Sequence, residues 1–357
     1  MSLDNTSIEV ICSGLQYPEG PIHCKDGSII LVELKGQCLT MVSPDGQVQK
    51  IASMQGSPNG AAVGPDGNIY VTNSGGFDWI PMPLPNGQTI LVTGNQPSDY
   101  VGGLLQKVTP SSGEVSTIYT ECSKRFSPEG KPAAPDWNPA YKLCGLDDIV
   151  FDDAGGMWFT DYGKNRERDS DVTGVYYASP DGSSITQMVY PLDEPNGIGL
   201  SPDGKRLYVA LTFARKVIYF ELSAPGVIKP NPADVVNGSY LLTADLEGQS
   251  VLDSMAVDSQ GNVYVATMLP EGNNPMSNGG ISIISPDGKN VEFVPIELPN
   301  KEFVPLPSNI CFGGEDMKTA YITCGGSGHL ISMRSSVAGL KLNHNGSAFD
   351  NSSIEKK

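Results

Sequence analysis

Histidine is scarce in this sequence, and its cysteines do not form metal-binding patterns. There are three histidines, at positions 23, 329 and 344, and no two cysteines have Cys-x-x-Cys spacing. This excludes a zinc site built from clustered His and Cys ligands. The seven cysteines are an odd number, which predicts free and mostly buried thiols in a reducing compartment. Cys122 and Cys144, which flank one long loop, are the only candidate pair.

Positive charge is scarce as well. Against 40 acidic residues there are 23 lysines and arginines, which gives a formal net charge of −17. Such a chain repels phosphate backbones, and nucleic acid is therefore excluded as a partner. No apolar run approaches the roughly 18 residues of a membrane span, and the polar stretch from Met1 to Ser7 lacks the pattern of a secretory signal. The sequence therefore predicts a cytoplasmic protein without a membrane partner.

Common catalytic motifs are missing too. The chain has no Gly-x-Ser-x-Gly elbow, no glycine-rich phosphate loop and no His-Glu-x-x-His pair. Glycine and proline are abundant instead, with 41 and 28 residues, and the apolar runs between them are short. This composition is typical of an all-β chain that turns often.

One pattern repeats six times: a short apolar strand, a turn, and a second strand of alternating apolar residues. The turns lie at 25–27, 65–67, 153–155, 202–204, 259–261 and 314–316. The strands after them are rich in β-branched and aromatic residues, as pleated strands prefer, and cover 29–32, 69–72, 157–160, 207–210, 263–266 and 320–323. Short strands repeated at this period are typical of propeller blades. The sequence therefore predicts an all-β fold, a six-bladed β-propeller.

The predicted propeller is one domain over residues 1–334, with a polar C-terminal tail at 335–357 that is loose or packed outside. Ile8–Ile11 precedes the first repeat, and we expect it to form the outer strand of the last blade, which would close the ring. A long insertion at about 75–145 contains several aromatic residues among prolines: Trp79, Tyr100, Phe126, Trp137 and Tyr141. Loops of this length usually have a function. A lid over the channel mouth and packing on the outer surface are both open interpretations.

Aligning the repeats brings one oxygen-bearing residue of each into register at the start of the inner strand. These residues are Glu19, Asn59, Asp147, Asn196, Asp253 and Ser308. The inner strands of a propeller line its channel, so three carboxylates and three further oxygens should meet at the channel mouth. Asp and Asn are ordinary turn formers at any single position, but six in register favour a hard cation. All-oxygen ligation suits Ca²⁺ best, with Zn²⁺, Mn²⁺ or Mg²⁺ as alternatives.

The same stretches resemble the senescence marker protein 30/gluconolactonase/luciferin-regenerating family. The matching segments are Pro18–Pro21, Ser57–Gly60, Asp147–Asp152, Glu194–Ile198 and Asp253–Asp258, within a similarity that covers about residues 8–333. The resemblance implies a six-bladed propeller that binds a divalent ion, usually Ca²⁺, and hydrolyses a small-molecule lactone. It also implies that Asn59 lies near the substrate and that the metal ligands are Glu19, Asp147, Asn196 and Asp253.

Within that family, the motifs are most similar to the drug-responsive, calcium-dependent lactonase branch. Asp147 stands where the sugar lactonases and the fluorophosphatases often have Asn, and the run Leu146–Asp152 follows the drug-responsive pattern. This similarity favours lactone hydrolysis over phosphotriester hydrolysis, and it weakens any transfer of sugar specificity. It also makes Ser254 a candidate extra ligand. Asp148 and Ser254 are, with Asn59, the predicted substrate contacts.

The predicted reaction is the hydrolytic opening of a cyclic ester. The cation would polarise the carbonyl, while Asp253 would take a proton from the attacking water and return it to the leaving alkoxide. Direct nucleophilic attack by Asp253 is the alternative. Three other functions stay open: a metal-free propeller enzyme like strictosidine synthase, a phosphotriesterase of the fluorophosphatase type, and a non-enzymatic binding propeller. The aromatic insertion predicts a preference for apolar or aromatic lactones.

Overall fold

The computed structural model describes residues 3–84, 87–127, 135–234, 236–244, 246, 248–271, 274–298, 304–342, 350–352 and 354. Every regular element in these ranges is a β-strand. No helix among them is long and apolar enough to cross a membrane.

The strands of the first half of the chain include all of blades 1 and 2 and the start of blade 3. They are β1 (Leu3–Ser13), β2 (Pro18–His23), β3 (Ile29–Glu33), β4 (Cys38–Val42), β5 (Val48–Ser53), β6 (Pro58–Val63), β7 (Ile69–Asn73), β8 (Trp79–Pro83), β9 (Thr89–Thr93), β10 (Leu104–Thr109), β11 (Glu114–Tyr119), β12 (Glu121–Cys122), β13 (Lys124–Arg125), β14 (Tyr141–Lys142) and β15 (Leu146–Phe151).

The strands of the second half complete the remaining blades. They are β16 (Met157–Asp161), β17 (Thr173–Ala178), β18 (Ile185–Leu192), β19 (Pro195–Leu200), β20 (Arg206–Leu211), β21 (Lys216–Ala224), β22 (Val227–Ile228), β23 (Tyr240–Thr243), β24 (Val251–Val257), β25 (Val263–Glu271), β26 (Asn274–Ile284), β27 (Val291–Pro295), β28 (Pro307–Gly313), β29 (Thr319–Cys324) and β30 (His329–Ser335).

Six sheets form the blades of a propeller. From the channel outward, the strand orders are β2-β3-β4-β5, β6-β7-β10-β11, β15-β16-β17-β18-β13, β19-β20-β21 with β22 and β23, β24-β25-β26-β27, and β28-β29-β30-β1. The inner strands contact one another in a closed ring, from β2 through β6, β15, β19, β24 and β28 back to β2. The predicted six-bladed β-propeller is confirmed, and each predicted second strand is the second strand of its blade.

The ring is closed by pairing the two ends of the propeller. β1 is the antiparallel partner of β30, with Val10 opposite Ile331. The prediction that Ile8–Ile11 lies in the outer strand of the last blade is therefore confirmed. Cys12 and Leu15, at the end of β1 and just after it, pack against Leu31 of blade 1. The closure thus joins blades 6 and 1 by apolar contact as well as by a shared sheet.

The apolar core lies between neighbouring blades. The inner and second strands of blades 1 and 3 are buried along their whole length, and each of the six blade interfaces has its own buried cluster. Between blades 3 and 4, for example, Trp158 packs in one cluster with Phe220, and neither is exposed. Burial of a large apolar side chain contributes about 1.5–3 kcal/mol, so the core holds the inner strands firmly.

The insertion predicted at about 75–145 divides into three parts. Its middle part, β10 and β11, completes blade 2. The part before it contains β8 and β9, which pair only with each other and are called the mouth hairpin below. The part after it follows the outer edge of blade 3, where β13 is parallel to β18, and is called the outer segment below. Trp137 and Tyr141 lie in this last part, with ring centroids 4.8 Å apart, and so belong to the outer surface.

The chain after blade 6 does not lie wholly outside the propeller. The backbone N–H of Leu340 donates a 2.9 Å hydrogen bond to the carbonyl of Val257, at the far end of an inner strand. Leu340 and Leu342 line the far end of the channel, and Ile354 is buried between blades 1 and 2. These residues of the predicted tail are therefore packed against the propeller and are not loose; positions 343–349, 353 and 355–357 lie outside the described residues.

All seven cysteines are free thiols, including Cys122 and Cys144. Five of them are buried, and burial raises the pKa of thiols such as that of Cys122. The prediction of free and mostly buried thiols is confirmed.

Candidate functional site

The inner strands are irregular at the positions of the aligned oxygen-bearing residues. The pairing of β2 with β3 shifts between Glu19 and Ile22, and the pairing of β15 with β16 shifts between Leu146 and Ile149. The other four inner strands shift at the equivalent place. Because a bulge bends the strand and redirects a side chain, these shifts explain how five of the six aligned residues leave the blade and face the channel mouth.

Close packing between blades holds the bulges in place. A Cβ on Gly60 would lie 2.6 Å from the carbonyl oxygen of Asp147 in the next blade, so no larger residue fits after Asn59. Thr160 of blade 3 donates a 2.6 Å hydrogen bond to the carbonyl of Asn196 in blade 4. Each ligand-bearing segment is thus positioned by the preceding blade.

Five of the six aligned residues line one cavity of about 160 Å³ at the channel mouth: Glu19, Asn59, Asp147, Asn196 and Asp253. The first four are buried, and Asp253 is partly exposed. The sixth, Ser308, does not line this cavity, because its Oγ donates a 2.9 Å hydrogen bond to the carbonyl of Pro18. The structure therefore brings all four predicted metal ligands together with Asn59.

Asp148 and Ser254, the other two predicted substrate contacts, do not line this cavity. Asp148 accepts hydrogen bonds from the backbone N–H groups of Ile149, at 2.9 Å, and Ile198, at 3.1 Å. It lines a separate cavity of about 90 Å³ deeper in the channel. Ser254 donates a 3.4 Å hydrogen bond from Oγ to Oδ1 of Asn196. Both side chains face the interior, because the strand bulge directs only their neighbours to the mouth, and both support the site from below.

Burial and mutual repulsion raise the pKa values of the three carboxyl groups in the cavity. Burial is the larger cause for Glu19 and Asp147, whose pKa values lie well above their usual range, and the charge of Asp253 adds to it. Burial also raises the pKa of Asp253 to about 7, against a hydrogen bond from Asn196 that lowers it. The cavity is therefore short of positive charge.

Amide groups hold two of these carboxylates. Asn309 donates a 2.8 Å hydrogen bond from Nδ2 to Oε2 of Glu19, and Asn59 donates one of 2.9 Å to Oδ2 of Asp147. The other oxygen of Asp147, Oδ1, is buried and has no hydrogen-bond partner among the described residues. An unpaired buried acceptor is costly. This oxygen therefore lacks a donor or a cation.

The donor set fits a hard divalent cation, because it consists of carboxylate and amide oxygens with one carboxylate oxygen unpaired. Within the described ranges, no three Asp, Glu, His or Cys side chains are close enough together to hold a metal ion by themselves. The residues that would hold a cation in this cavity are Glu19, Asp147, Asn196 and Asp253; without it, the three carboxylates stand farther apart than in a formed metal site.

Four aromatic residues of the cavity wall were not predicted from the sequence: Tyr17, Phe77, Tyr162 and Phe213. Tyr17 had a usable signal. It precedes the Pro-Glu pair of blade 1 as Glu194 precedes the Pro-Asn pair of blade 4, and both have positive φ, at 61° and 49°. The backbone turns sharply at both positions, and the side chain of Tyr17 enters the channel mouth. No equivalent signal marks Phe77, Tyr162 or Phe213.

The mouth hairpin reaches across from blade 2 to blades 5 and 6. The N–H of Leu91 donates a 3.0 Å hydrogen bond to the carbonyl of Gly326, and Ile90 packs with Met268 and Leu306. Thr93, at its end, lines the cavity. The lid interpretation therefore describes this first part of the insertion, and the outer-packing interpretation describes the last part.

Comparisons with known proteins agree with this architecture. A family model described as the SMP-30/gluconolactonase/LRE-like region matches residues 17–326. The chain is 26% identical to the gluconolactonase of Zymomonas mobilis, over 89% of this chain and 79% of that protein. It is 29% identical to the lactonase drp35 of Staphylococcus saprophyticus, over 72% of this chain and 65% of that protein.

A solved structure shows the same fold. Regucalcin from Agrobacterium tumefaciens, described as a calcium-binding protein, matches with a TM-score of 0.60 and 13% identity, over 94% of this chain and 93% of that one. The family match over residues 17–326 contains all six inner strands and every residue of the aligned ring. The chain belongs to the SMP-30/gluconolactonase/LRE-like family.

Proposed function

We propose that the protein is a calcium-dependent carboxylic ester hydrolase that opens a lactone. The observation that carries this proposal is the convergence of Glu19, Asp147, Asn196 and Asp253 on one small cavity below the mouth hairpin. The gluconolactonase and lactonase relatives support lactone hydrolysis, and the calcium-binding regucalcin supports the choice of cation. A metal-free propeller enzyme or a binding propeller would have no use for three carboxylates that repel one another.

The four residues Glu19, Asp147, Asn196 and Asp253 would hold the cation. When bound, a Ca²⁺ ion supplies a positive charge that polarises the ester carbonyl and stabilises the developing oxyanion. Asn59 and Asn309 keep Asp147 and Glu19 oriented through their hydrogen bonds. Mg²⁺, Mn²⁺ and Zn²⁺ are alternative occupants, although the oxygen-only donors suit Ca²⁺ best.

Asp253 moves the proton in this proposal. It is partly exposed to the cavity, so a water molecule can reach its carboxyl group. A carboxylate in that position can take a proton from water and return it to the leaving group. The water oxygen then bonds to the carbonyl carbon, the ring C–O bond breaks, and the alkoxide receives the proton through Asp253. The only product is a hydroxy acid.

The apolar wall of the cavity supports an apolar substituent on the substrate. Tyr17, Phe77 and Phe213 face the cavity together with Leu252 and Met268. Such a wall favours aliphatic or aromatic lactones, because burying apolar area of the ligand is favourable, whereas a sugar lactone needs many polar partners.

The proposal is tested by acid release from a substrate panel. The panel contains aliphatic, aromatic and sugar lactones and one fluorophosphate ester, and the protein is first treated with a chelator and then reconstituted with Ca²⁺. We expect hydrolysis of at least one lactone only after reconstitution. Full activity of the metal-free protein would refute the calcium requirement. A calcium-loaded protein that cleaves the fluorophosphate and no lactone would support the phosphotriesterase instead.

A further inference from the structure

Lys164 is a buried amine beside the cavity that the proposed reaction does not use. Only 2% of the surface of Lys164 is exposed. Its Nζ donates a 2.6 Å hydrogen bond to the carbonyl of Gly76 and lies 3.4 Å from the ring centroid of Phe77 and 5.7 Å from that of Tyr100. All three partners belong to residues 75–102, the segment that leads into and out of the mouth hairpin.

A lysine is a costly choice at this position. The ion pairs of the described residues do not include Lys164. Burying an ammonium group sacrifices strong hydration. One carbonyl, two ring faces and the charges of Asp147, Asp161 and Asp171 compensate for it only in part. A methionine would fill the same space without that loss. The contacts that distinguish lysine are directional ones, to the Gly76 carbonyl and to the face of Phe77.

The segment that receives these contacts is held by a few hydrogen bonds, among them one of 2.9 Å from the Gly75 N–H to Oδ1 of Asn73 and one of 3.0 Å from the Val101 N–H to the Gly75 carbonyl. Gly75 and Gly76 have φ values of 79° and 127°, so both lie in the region that favours glycine. Neither has a side chain to pack. Lys164 itself is fixed, because its N–H donates a 3.0 Å hydrogen bond to Oδ2 of Asp171 and its carbonyl accepts one of 3.0 Å from the Asp171 N–H. Blade 3 therefore contacts the glycine corner at Gly76 through the side chain of Lys164, and it binds the same segment farther along by a 2.8 Å hydrogen bond from the Gln96 N–H to the Asn165 carbonyl.

The position of Phe77 affects the rest of the cavity wall. Phe77 lines the cavity, and its ring centroid is 6.2 Å from that of Trp79, which is 5.2 Å from that of Tyr17. Tyr17 lines the same cavity and precedes Glu19 by two residues. A change at Lys164 would therefore shift a row of three aromatic rings.

We propose that Lys164 is a positioning residue that sets substrate specificity by fixing Phe77 against the apolar substituent of the lactone. The proposal rests on the proposed lactonase function. The substrates are then lactones whose ring carries an aliphatic or aromatic group long enough to reach Phe77.

The test compares Lys164→Met, Lys164→Arg and the control Lys142→Met, in which an exposed lysine of the outer segment is replaced. Hydrogen–deuterium exchange is measured over residues 74–80 and 91–96 of the calcium-loaded protein. We expect the fastest exchange in Lys164→Met and unchanged exchange in Lys142→Met. Its kcat/KM for an aryl-substituted lactone should fall about 10-fold more than for an unsubstituted one, mainly through KM, because a small displacement of a positioning wall is enough for such a loss.

Lys164→Arg should recover part of the exchange protection, since it retains the charge and the donors. Calcium should still bind to all three variants, with unchanged affinity for Lys164→Arg and Lys142→Met, whereas Lys164→Met removes a positive charge that acts on Asp147. If Lys164→Met does not fold, Phe77→Leu keeps the lysine and should cause the same change of substrate ranking. Unchanged exchange and unchanged ranking would overturn the proposal. If the wild-type protein hydrolyses no lactone, the proposed function fails, while the exchange measurement still decides whether Lys164 holds the glycine corner.

Discussion

Asn59 and Asp147 are 88 positions apart in the sequence and are joined by a hydrogen bond of 2.9 Å from Nδ2 to Oδ2. Asn59 stands at the start of blade 2 and Asp147 at the start of blade 3, so this bond connects the two blades across the long insertion. It uses one oxygen of Asp147 and leaves the other without a partner among the described residues. The amide therefore stabilises the ionised carboxylate while one oxygen stays available to a cation.

Replacing this amide should make the protein depend more on calcium. Asn59→Asp removes the donor and adds a like charge, so we expect the free energy of unfolding of the calcium-free protein to fall by about 1–3 kcal/mol. Calcium should restore much of that loss. Chemical unfolding with and without Ca²⁺ measures both effects, and Asn95→Asp, at an exposed position, is the matched control. Equal stability of Asn59→Asp and wild type without calcium would contradict the assignment.

Calcium itself should stabilise the wild-type fold. A ligand at about 100 times its dissociation constant adds about 2.7 kcal/mol to the free energy of unfolding, provided that it binds only the folded state. Glu19→Gln should reduce this gain, because one carboxylate of the proposed set is lost, whereas Glu114→Gln on an exposed strand should not. Thermal unfolding at several calcium concentrations is the measurement. A melting temperature that does not respond to calcium would argue against a site in this cavity.

Asp253→Asn should separate metal binding from proton transfer. Asn keeps a side-chain oxygen for the cation but cannot accept a proton at working pH. We expect activity to fall by about 10²–10⁴-fold, as is usual for a positioned acid or base, while calcium binding weakens without being lost. Calorimetric titration and initial rates provide the two readouts. Near-normal turnover would transfer the proton chemistry to Asp147.

The stability of the calcium-free protein should fall as the pH rises from about 4 to 7. Burial raises the pKa values of Asp148 and Asp253 from 3.8 to about 7. In this range the folded protein therefore binds more protons than the unfolded chain, and the free energy of unfolding decreases with pH by up to about 1.4 kcal/mol per pH unit for each group. Denaturant unfolding at several pH values tests this, and Asp148→Asn should reduce the slope.

Calcium should reverse part of this pH dependence. A cation needs Asp253 in its ionised form, so binding near pH 7 should release protons into an unbuffered solution. The calcium-loaded protein should then lose less stability between pH 5 and about 7 than the calcium-free one. Binding without proton release would show that Asp253 is already ionised, or that it does not contact the cation.

The propeller and most of the candidate site could be predicted because both repeat. Six turns and six apolar strands recur in register, so the position of Asp253 in blade 5 follows from that of Glu19 in blade 1. The difference in depth between Asp147 and Asp148 could not be predicted, because it depends on a bulge that shifts the strand register. Period-2 patterns place neighbouring side chains on opposite faces, but they do not show where a bulge interrupts them.

The arrangement of the insertion was harder to predict than that of the blades. Nothing in it repeats, so composition alone placed Trp79 and Trp137 in one group. In the structure, the ring centroids of Trp79 and Tyr17 are 5.2 Å apart beside the cavity. The ring of Trp137 lies instead under Arg125 at the edge of blade 3, with its centroid 5.0 Å from Cζ of the guanidinium. β10 and β11 lie between these two residues in the sequence. They are ordinary blade strands, but the sequence pattern does not set them apart from the rest of the insertion. Lys164 contacts residues that are distant in the sequence, such as Gly76, and no local pattern predicts these contacts.

The division of the insertion also defines the sharpest test of substrate preference. Deleting residues 77–139 as a whole would remove β10 and β11 and unfold blade 2, so a smaller change is needed. Replacing Ile80–Val92 by a short Gly-Ser linker removes the apolar contacts of Ile90 with Met268 and Leu306 while every strand of blade 2 is kept. None of the proposed ligands lies in the replaced segment.

We expect the wild-type protein to prefer apolar or aromatic lactones over small polyhydroxylated ones, and the shortened protein to lose much of that preference while it still binds calcium. The reason is that the hairpin covers the apolar wall of the cavity, and an uncovered wall buries less of the substrate. The matched control is Trp137→Ala with Tyr141→Ala, which removes aromatic rings from the outer segment only and should leave the ranking unchanged. A wild-type enzyme that is fastest on gluconolactone, or a shortened one that keeps its ranking, would reduce the hairpin to a structural insertion.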